Sequence, residues 1–275
     1  MKFTKMHGIS NDYVYVNCFE ETVENPSWTA RYVSERRTGI GSDGLILVAP
    51  SKVADCRMIM YNADGTEGAM CGNGVRCVGK YAYDHGIAVK NPMRIETGAG
   101  IKVLEFRLAD GKVAEARVDM GIPERTSELP EPIQVNGKDY EFVGISMGNP
   151  HAVYFMDEID SLDLEKMGPG FEMHERFPDR TNSEFIQVLD RKHLKMRVWE
   201  RGSGETWACG TGATASAVAA ILMGYTENEV VVSLKGGDLT IEWNRETGHV
   251  FMTGPAAEVF EGEITIPEEN GMTLI

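Results

Sequence analysis

The sequence lacks several features that define whole classes of protein. Its first residues, Met1–His7, contain no apolar signal core, and no apolar run approaches the roughly 20 residues that cross a membrane. Basic residues number 27 against 42 acidic ones, and the resulting net charge of −15 argues against nucleic acid or an anionic membrane as a partner. We therefore expect a cytoplasmic protein that binds neither nucleic acid nor membrane.

The spacing of cysteine and histidine excludes the common structural uses of these residues. There are 5 cysteines, an odd number, and neither Cys-x-x-Cys nor His-x-x-x-His occurs, so no disulfide framework and no metal site is predicted. Free cysteines are ordinarily small buried hydrophobes, and this interpretation is preferred for Cys18, Cys56 and Cys77. The composition, 42% hydrophobic and 25% charged, is that of a globular protein with one large or two ordinary domains.

The two remaining cysteines stand in a special context. Cys71 directly precedes Gly72–Gly74, and Cys209 directly precedes Gly210–Gly212; each is followed by a run that predicts a helix. The first N–H groups of a helix have no partner within the helix and favour an anion, either a thiolate or a bound carboxylate. Glycine at such a position lets the backbone approach a ligand closely. Two copies of this pattern make a specific signal.

The two cysteines belong to an internal repeat. Three pairs of residues share an offset of 138 positions (149 − 11, 209 − 71 and 236 − 98): Asn11 and Asn149, Cys71 and Cys209, Gly98 and Gly236. The same order of short predicted strands and one long helix recurs in both halves. We therefore predict an α+β (mixed α/β) fold of two similar domains related by a pseudo-twofold axis. Each is expected to be a curved, mostly antiparallel sheet or barrel around a central helix.

The domain boundaries follow from Pro- and Gly-rich segments between residues 121 and 132. We predict an N-terminal domain at residues 1–118, joined by a C-terminal strand at residues 263–275, and a C-terminal domain at residues 119–262. The two cysteines, at matching helix starts, are then expected to face each other across the cleft between the domains.

A pair of facing thiols suits the inversion of a carbon stereocentre. One group removes a proton from one face of the α-carbon while the other supplies a proton to the opposite face. A cysteine has an ordinary pKa of about 8.5, which a helix N-terminus is expected to lower, and the pair shares one proton. Backbone N–H groups of Gly72 and Asn73, and of Gly210 and Thr211, would hold the α-carboxylate as charge moves into it.

These segments resemble the motifs of the diaminopimelate epimerase family, which are pyridoxal-independent enzymes of lysine biosynthesis. The resemblance is collinear and extends over essentially the whole chain, in the segments Lys5–Tyr13, Asn62–Cys77, Gly148–His151 and Glu200–Ala213. It implies that Cys71 and Cys209 interconvert LL- and meso-2,6-diaminopimelate as base and acid, without a cofactor. It also implies a homodimer.

The resemblance further implies a set of substrate contacts. Residues that match substrate-binding positions of the family are Asn11, Asn62, Gly72, Asn73, Asn149, Asn182, Glu200, Arg201, Gly210 and Thr211. His151 and Glu200 match positions thought to tune the pKa of the thiols. Arg201 with amide groups suits the distal carboxylate of the substrate, and Glu200 suits its ammonium group. Two departures stand out: Ser10 replaces a common glycine, and Gly44 replaces a glutamine found in some members.

Other interpretations remain open at this point. A cofactor-independent racemase or epimerase of another amino acid could share this fold, and so could a non-catalytic, two-lobed amino-acid binding protein. A loop asparagine is more often a turn former than a ligand. For His151 the alternative is a turn cap, and for Arg201 a surface ion pair. Turnover of diaminopimelate against amino acids with a single stereocentre would separate these functions.

Overall fold

The computed structural model describes residues 1–269, which divide into two compact units. The first unit comprises Met1–Val118 together with the chain from Gly254 onward, and the second comprises Asp119–Thr253. Within the described residues there are four helices and nineteen strands, which confirms the mixed α/β class. Each helix in this part of the chain is too short or too polar to span a lipid bilayer. Residues 270–275 of the predicted C-terminal strand lie outside the described residues.

The first unit is a mostly antiparallel sheet around one buried helix. Its elements are β1 (Lys2–Gly8), β2 (Asn11–Asn17), α1 (Pro26–Ser34), β3 (Gly44–Ala49), β4 (Cys56–Asn62), β5 (Glu67–Gly68), α2 (Gly72–Asp84), β6 (Met93–Thr97), β7 (Gly100–Ala109), β8 (Lys112–Gly121) and β19 (Ala257–Glu263). Parallel pairing occurs between β2 and β3 and between β4 and β6, and β1 pairs antiparallel with β2 and β19. Because α2 contacts β1 to β4 and β6, the sheet curves around this helix.

The second unit repeats this arrangement. Its elements are β9 (Glu124–Arg125), β10 (Glu131–Val135), β11 (Lys138–Ser146), β12 (Pro150–Phe155), α3 (Leu164–Glu172), β13 (Asn182–Asp190), β14 (His193–Glu200), β15 (Gly204–Thr206), α4 (Gly210–Leu222), β16 (Glu229–Leu234), β17 (Gly237–Trp243) and β18 (Val250–Pro255). The pairs β12–β13 and β14–β16 are parallel, as are β2–β3 and β4–β6. Helix α4 contacts β11 to β14, β16 and β17. The prediction of two similar sheets, each around a central helix, is confirmed.

Three strands were not predicted by the pattern of the sequence. Strands β9 and β10 lie in the Pro-rich segment that was expected to be a boundary, where Pro132 is tolerated in a strand that pairs with β11 alone. Strand β19 pairs with β1 and ends at Glu263. The strand that the C-terminal part of the chain adds to the first unit therefore lies at Ala257–Glu263, and the predicted strand at residues 263–275 is wrong for residues 264–268, which are not in a strand. Beyond β19 the chain continues along the first unit, where Met1 and Ile264 exchange backbone hydrogen bonds and the Trp28 indole donates to the Pro267 carbonyl at 2.8 Å.

Each unit has an apolar core of its own. In the first, Val14 and Val16 of β2 and Leu45 and Leu47 of β3 pack with helix α1. In the second, aromatic side chains surround α3, and Phe171 of this helix packs edge-to-face on Tyr154 and Phe185. Helix α3 approaches β14 so closely that Gly168 lies against the ring of Trp199.

Replacement of Gly168 by alanine is expected to destabilise the protein by about 1–3 kcal/mol. A Cβ at this position would overlap the Trp199 indole, which cannot swing away because its Nε1 donates to Glu172 at 2.7 Å. On the exposed side of the same helix, Lys166→Ala should change the free energy of unfolding by less than about 0.5 kcal/mol. Urea unfolding of both variants tests this expectation, and equal midpoints would contradict the proposed packing constraint.

Candidate active site

Both central helices begin at a cysteine. Cys71 is the N-cap residue of α2, with φ −129° and ψ 122°, and Cys209 is the N-cap residue of α4, with φ −127° and ψ 104°. These extended dihedral angles are typical of N-cap residues, and in α2 the sulfur of Cys71 accepts a hydrogen bond from the Gly74 N–H. The first turn of each helix is buried, and a Cβ on Gly212 would lie only 2.7 Å from the Glu184 carboxylate. Glycine is therefore required there by close packing.

In the first unit, the Cys71 thiol is held by two hydrogen bonds. It donates to Asn11 Oδ1 at 3.2 Å and accepts from the Gly74 N–H at 3.4 Å. The amide of Asn11 is itself oriented, because its Nδ2 donates to Asp43 Oδ2 at 2.8 Å. The sulfur of Cys71 thus lies between an oriented amide oxygen and a backbone N–H group.

Charged residues extend this network away from Cys71. Asp43 also accepts from the Asp12 N–H, and the Arg36 guanidinium bridges the carboxylates of Asp43 and Asp12 at 2.8 and 2.9 Å. Burial raises the pKa of Asp43, as does the neighbouring Asp12 carboxylate. Tyr13 also lies near Asn11 and Cys71, and burial keeps the pKa of its hydroxyl well above the ordinary value. Tyr13 therefore stays protonated beside the thiol.

In the second unit, the Cys209 thiol is buried next to carboxylates. Burial raises the pKa of Cys209 well above its ordinary value, and the negative charges of Glu200 and Glu184 raise it further. The Gly212 N–H and the Thr211 hydroxyl, whose oxygen lies 3.7 Å from Sγ, oppose this shift. The prediction that the helix N-terminus lowers the thiol pKa is thus wrong for Cys209, because burial and two carboxylates outweigh the N–H groups.

Glu200 interacts directly with Cys209. Burial raises the pKa of the Glu200 carboxyl, whereas hydrogen bonds from the Thr206 hydroxyl and the Cys209 thiol lower it. The thiol and the carboxyl are therefore partners between which a proton can move. His151, the other predicted modulator, is 2% exposed and is enclosed by Glu184 and Asn149.

The other predicted residues fall into two groups. Asn149 contacts His151 and Thr211, and Asn182 donates to the Pro150 carbonyl at 2.8 Å and accepts from the Arg201 N–H at 2.9 Å. These asparagines lie within the second unit's network. The partners of three further residues lie outside the cysteine networks: Asn62 bonds to Thr66, the Arg201 guanidinium to the Asp179 carbonyl, and Asn73 Oδ1 to buried Arg76.

Three functional candidates escaped the sequence analysis, namely Tyr13, Asp43 and Glu184. Asp43 and Glu184 lie outside the family motifs, and Glu184 follows the polar pair Asn182–Ser183 at the start of β13. Both departures from the family pattern, Ser10 and Gly44, stand at positions where the backbone or its neighbours restrict the side chain. Ile9 and Ser10 form a two-residue turn with φ of 50° and 71°, a conformation that favours glycine, directly before Asn11. A Cβ on Gly44 would collide with the Tyr61 carbonyl, so this position admits no side chain.

Among residues 1–269, no three His, Cys, Asp or Glu side chains are grouped so that they could hold a metal ion. The polar groups around both cysteines are amides, hydroxyls and carboxylates, which form hydrogen bonds with one another.

Comparison with known proteins defines first the fold and then the family. The chain superposes on a hydroxyproline epimerase from Agrobacterium vitis, solved with bound trans-4-hydroxy-L-proline, with a TM-score of 0.75 and 16% identity over 98% of this chain and 94% of that one. It therefore has the fold of that epimerase. The sequence model of the diaminopimelate epimerase family matches residues 3–126 and 143–259. The protein belongs to the diaminopimelate epimerase family, as its motifs predicted.

Two relatives carry the name of this family. The diaminopimelate epimerase of Acetivibrio thermocellus is 56% identical over 279 residues, which cover 98% of this chain and 100% of that protein. The diaminopimelate epimerase of Agathobacter rectalis is 55% identical over 284 residues, which cover 97% of this chain and 100% of that protein. The similarity is thus not confined to the cysteine motifs.

Replacement of Glu200 by glutamine is expected to lower the pKa of Cys209, because it removes a negative charge beside the sulfur. The pH at which Cys209 reaches half its maximal alkylation rate should therefore fall relative to the unmodified sequence. Iodoacetamide labelling over a pH series, followed by mass spectrometry of the Cys209 peptide, measures this midpoint. In the control Glu205→Gln the midpoint should not move, since Glu205 pairs with Arg197 and Lys235 instead. An unchanged midpoint in Glu200→Gln would contradict the assigned electrostatics.

Proposed function

We propose that this protein interconverts LL- and meso-2,6-diaminopimelate by cofactor-independent proton transfer at the α-carbon, and is thus an isomerase of lysine biosynthesis. Membership of the diaminopimelate epimerase family supports this function. The observation that carries it is the duplicated N-cap cysteine: each unit presents one thiol at the start of a buried helix, at equivalent positions of the repeat.

The two thiols act as the acid and the base. The mechanism requires one thiol on each face of the α-carbon, and the roles of Cys71 and Cys209 exchange with the configuration of the substrate. The α-carboxylate binds the N–H groups of Gly72 and Asn73 and of Gly210 and Thr211, which stabilise the charge that develops when the proton leaves. The two units, Met1–Val118 with the chain from Gly254 onward and Asp119–Thr253, correspond to the two domains of the enzyme, and the carbanion requires that water be excluded around it.

We infer the roles of the two cysteines from their surroundings. Cys71 donates to the Asn11 carbonyl oxygen and is therefore the proton donor. Cys209, whose pKa is raised by burial and by two carboxylates, is a strong base once ionised and removes the substrate proton. His151 and Glu200 thus tune the second thiol. This assignment describes epimerisation in one direction, and the reverse reaction follows by exchange of the two protonation states.

The distal end of diaminopimelate is a second amino-acid group and requires charged partners. The Arg201 guanidinium is exposed and can pair with the distal carboxylate, together with the amides of Asn62 and Asn182. Glu200 is the candidate partner for the distal ammonium group. A racemase substrate with a single amino-acid group would leave Arg201 without a role. We further propose that the enzyme acts as a cytoplasmic homodimer.

Purified protein is expected to convert LL-diaminopimelate to the meso isomer, and Cys71→Ala and Cys209→Ala should each lower turnover by at least about 100-fold. The loss follows because either the acid or the base is missing. Chiral chromatography of the product measures the rate. Cys18→Ala serves as the matched control and should retain the rate, since Cys18 lies outside both helix starts.

Three outcomes would contradict the proposal in different ways. Racemisation of proline without turnover of diaminopimelate would favour the alternative substrate. Binding of diaminopimelate without any α-proton exchange would favour a non-catalytic binding protein. Full activity of either alanine variant would exclude the two-thiol mechanism.

A further inference from the structure

Glu184 occupies an unfavourable position for a charged residue. It lies in β13 between β12 and β14, in register with Val153 and Val198, and its side chain is fully buried. Its Oε1 is 2.6 Å from His151 Nδ1, whereas its buried Oε2 has no hydrogen-bond partner among the described residues. Burial of a carboxyl with one unsatisfied oxygen is costly, so its presence in the buried part of this strand indicates a role beyond packing.

The hydrogen bonds of His151 determine where its protons lie. Its Nε2 is 3.1 Å from Asn149 Oδ1, which can only accept, so Nε2 carries a proton. The short contact between Nδ1 and Glu184 also contains a proton, located either on the carboxyl or on the imidazole. In both cases Glu184 holds His151 in the form that donates from Nε2, just as a carboxylate selects the tautomer of a metal-binding histidine.

The protonated Nε2 of His151 determines the orientation of the side chains that lie between His151 and the sulfur of Cys209. Because the Oδ1 of Asn149 faces His151, its Nδ2 faces Thr211 Oγ1, at 3.4 Å. The Thr211 oxygen therefore accepts from the amide, and its own proton is available to Cys209 Sγ, 3.7 Å away. A hydroxyl that donates to the sulfur stabilises the thiolate over the thiol.

We propose that Glu184 is a positioning residue of the reaction, which fixes the direction of a hydrogen-bond chain through His151, Asn149 and Thr211 so that it ends with a donor on the Cys209 sulfur. The role of this chain in catalysis rests on the proposed function, because it assumes that Cys209 must ionise during turnover. The chain itself is a property of the resting protein and can be tested without a substrate.

Glu184 also acts on Cys209 through its charge, and the two effects must be separated. Both groups approach Gly212: a Cβ there would lie 2.7 Å from Glu184 Oε1 and 3.1 Å from Cys209 Sγ. The titratable groups that face Glu184 are His151 and Tyr154 on β12, Glu200 on β14 and Cys209 on α4. A direct charge effect does not depend on the Thr211 hydroxyl, whereas the proposed chain does.

A double-mutant cycle with Glu184→Met and Thr211→Val makes this separation. The readout is the alkylation rate of Cys209 at a fixed pH, measured by mass spectrometry of its peptide. Thr211→Val alone should slow alkylation roughly tenfold, because the thiolate loses one hydrogen-bond donor. In the Glu184→Met background the same substitution should have no further effect, since the chain is already misdirected.

A matched control uses Asp84→Asn, which removes a buried carboxylate bonded to Lys80 and the Val113 N–H. In this background Thr211→Val should slow alkylation as strongly as in the original protein. An equal effect of Thr211→Val with and without Glu184 would overturn the proposal, and so would the absence of any effect in the original protein.

A measurement on the original protein avoids any loss of folding in the variants. Nitrogen-15 NMR of labelled histidine should show that Nε2 of His151 is protonated at neutral pH and that a proton is shared between Nδ1 and Glu184. An unprotonated Nε2 would overturn the proposal. Because neither experiment uses diaminopimelate, failure of the proposed function would appear separately, as absence of turnover in a protein whose alkylation cycle behaves as expected.

Discussion

The structure depends on one constraint, which is the placement of a cysteine at the N-cap of a helix whose first turn is buried. The first N–H groups of such a helix must find partners, and they can find them in a sulfur, a side-chain oxygen or the carboxylate of a ligand. Glycines at Gly74 and Gly212 allow the turn to approach neighbouring side chains. The curved sheet around each helix then supplies the strands and loops that carry Asn11, Asn149 and Glu200 to the sulfur.

The two copies of this arrangement have diverged in their electrostatics. Around Cys71 the acidic groups act indirectly. Asp43 orients the amide of Asn11, and the oxygen of this amide forms a hydrogen bond with the thiol. Around Cys209 the carboxylates of Glu200 and Glu184 raise the thiol pKa directly. Environments that push the pKa values of two chemically identical residues apart are a general way to divide the roles of acid and base between them. A duplicated fold therefore places its two cysteines in different electrostatic environments.

Much of the site could be predicted from the sequence because it depends on local signals. The Cys-Gly-x-Gly pattern determines both helix starts, and the offset of 138 positions reveals the repeated order of elements. The position of β19 could not be predicted in this way, because its pairing with β1 is set by contacts between the two ends of the chain. Strand β10 was missed because Pro130, just before it, and Pro132, within it, are also typical of a linker.

The networks behind the cysteines were inaccessible for a different reason. Asp43 lies in a Gly-rich loop that has no periodicity, and only its contact with Asn11 reveals its role. Glu184 is the one charged residue in a buried stretch of β13, which indicates a buried site without naming its partner. The raised pKa of Cys209 depends on burial and on carboxylates from β13 and β14. A rule based on the residues at a helix end considers neither effect.

The central claim is that one thiol removes the α-proton and a different thiol returns a proton to the opposite face. It is tested most directly by deuterium incorporation from heavy water during the first few per cent of conversion of LL-diaminopimelate. The account predicts deuterium at the inverted carbon of the meso product and almost none in the recovered LL substrate, because the donor cysteine has exchanged with solvent whereas the proton taken by the base is returned to the same face. Deuterium appearing at equal rates in product and recovered substrate would indicate a single base and would contradict it.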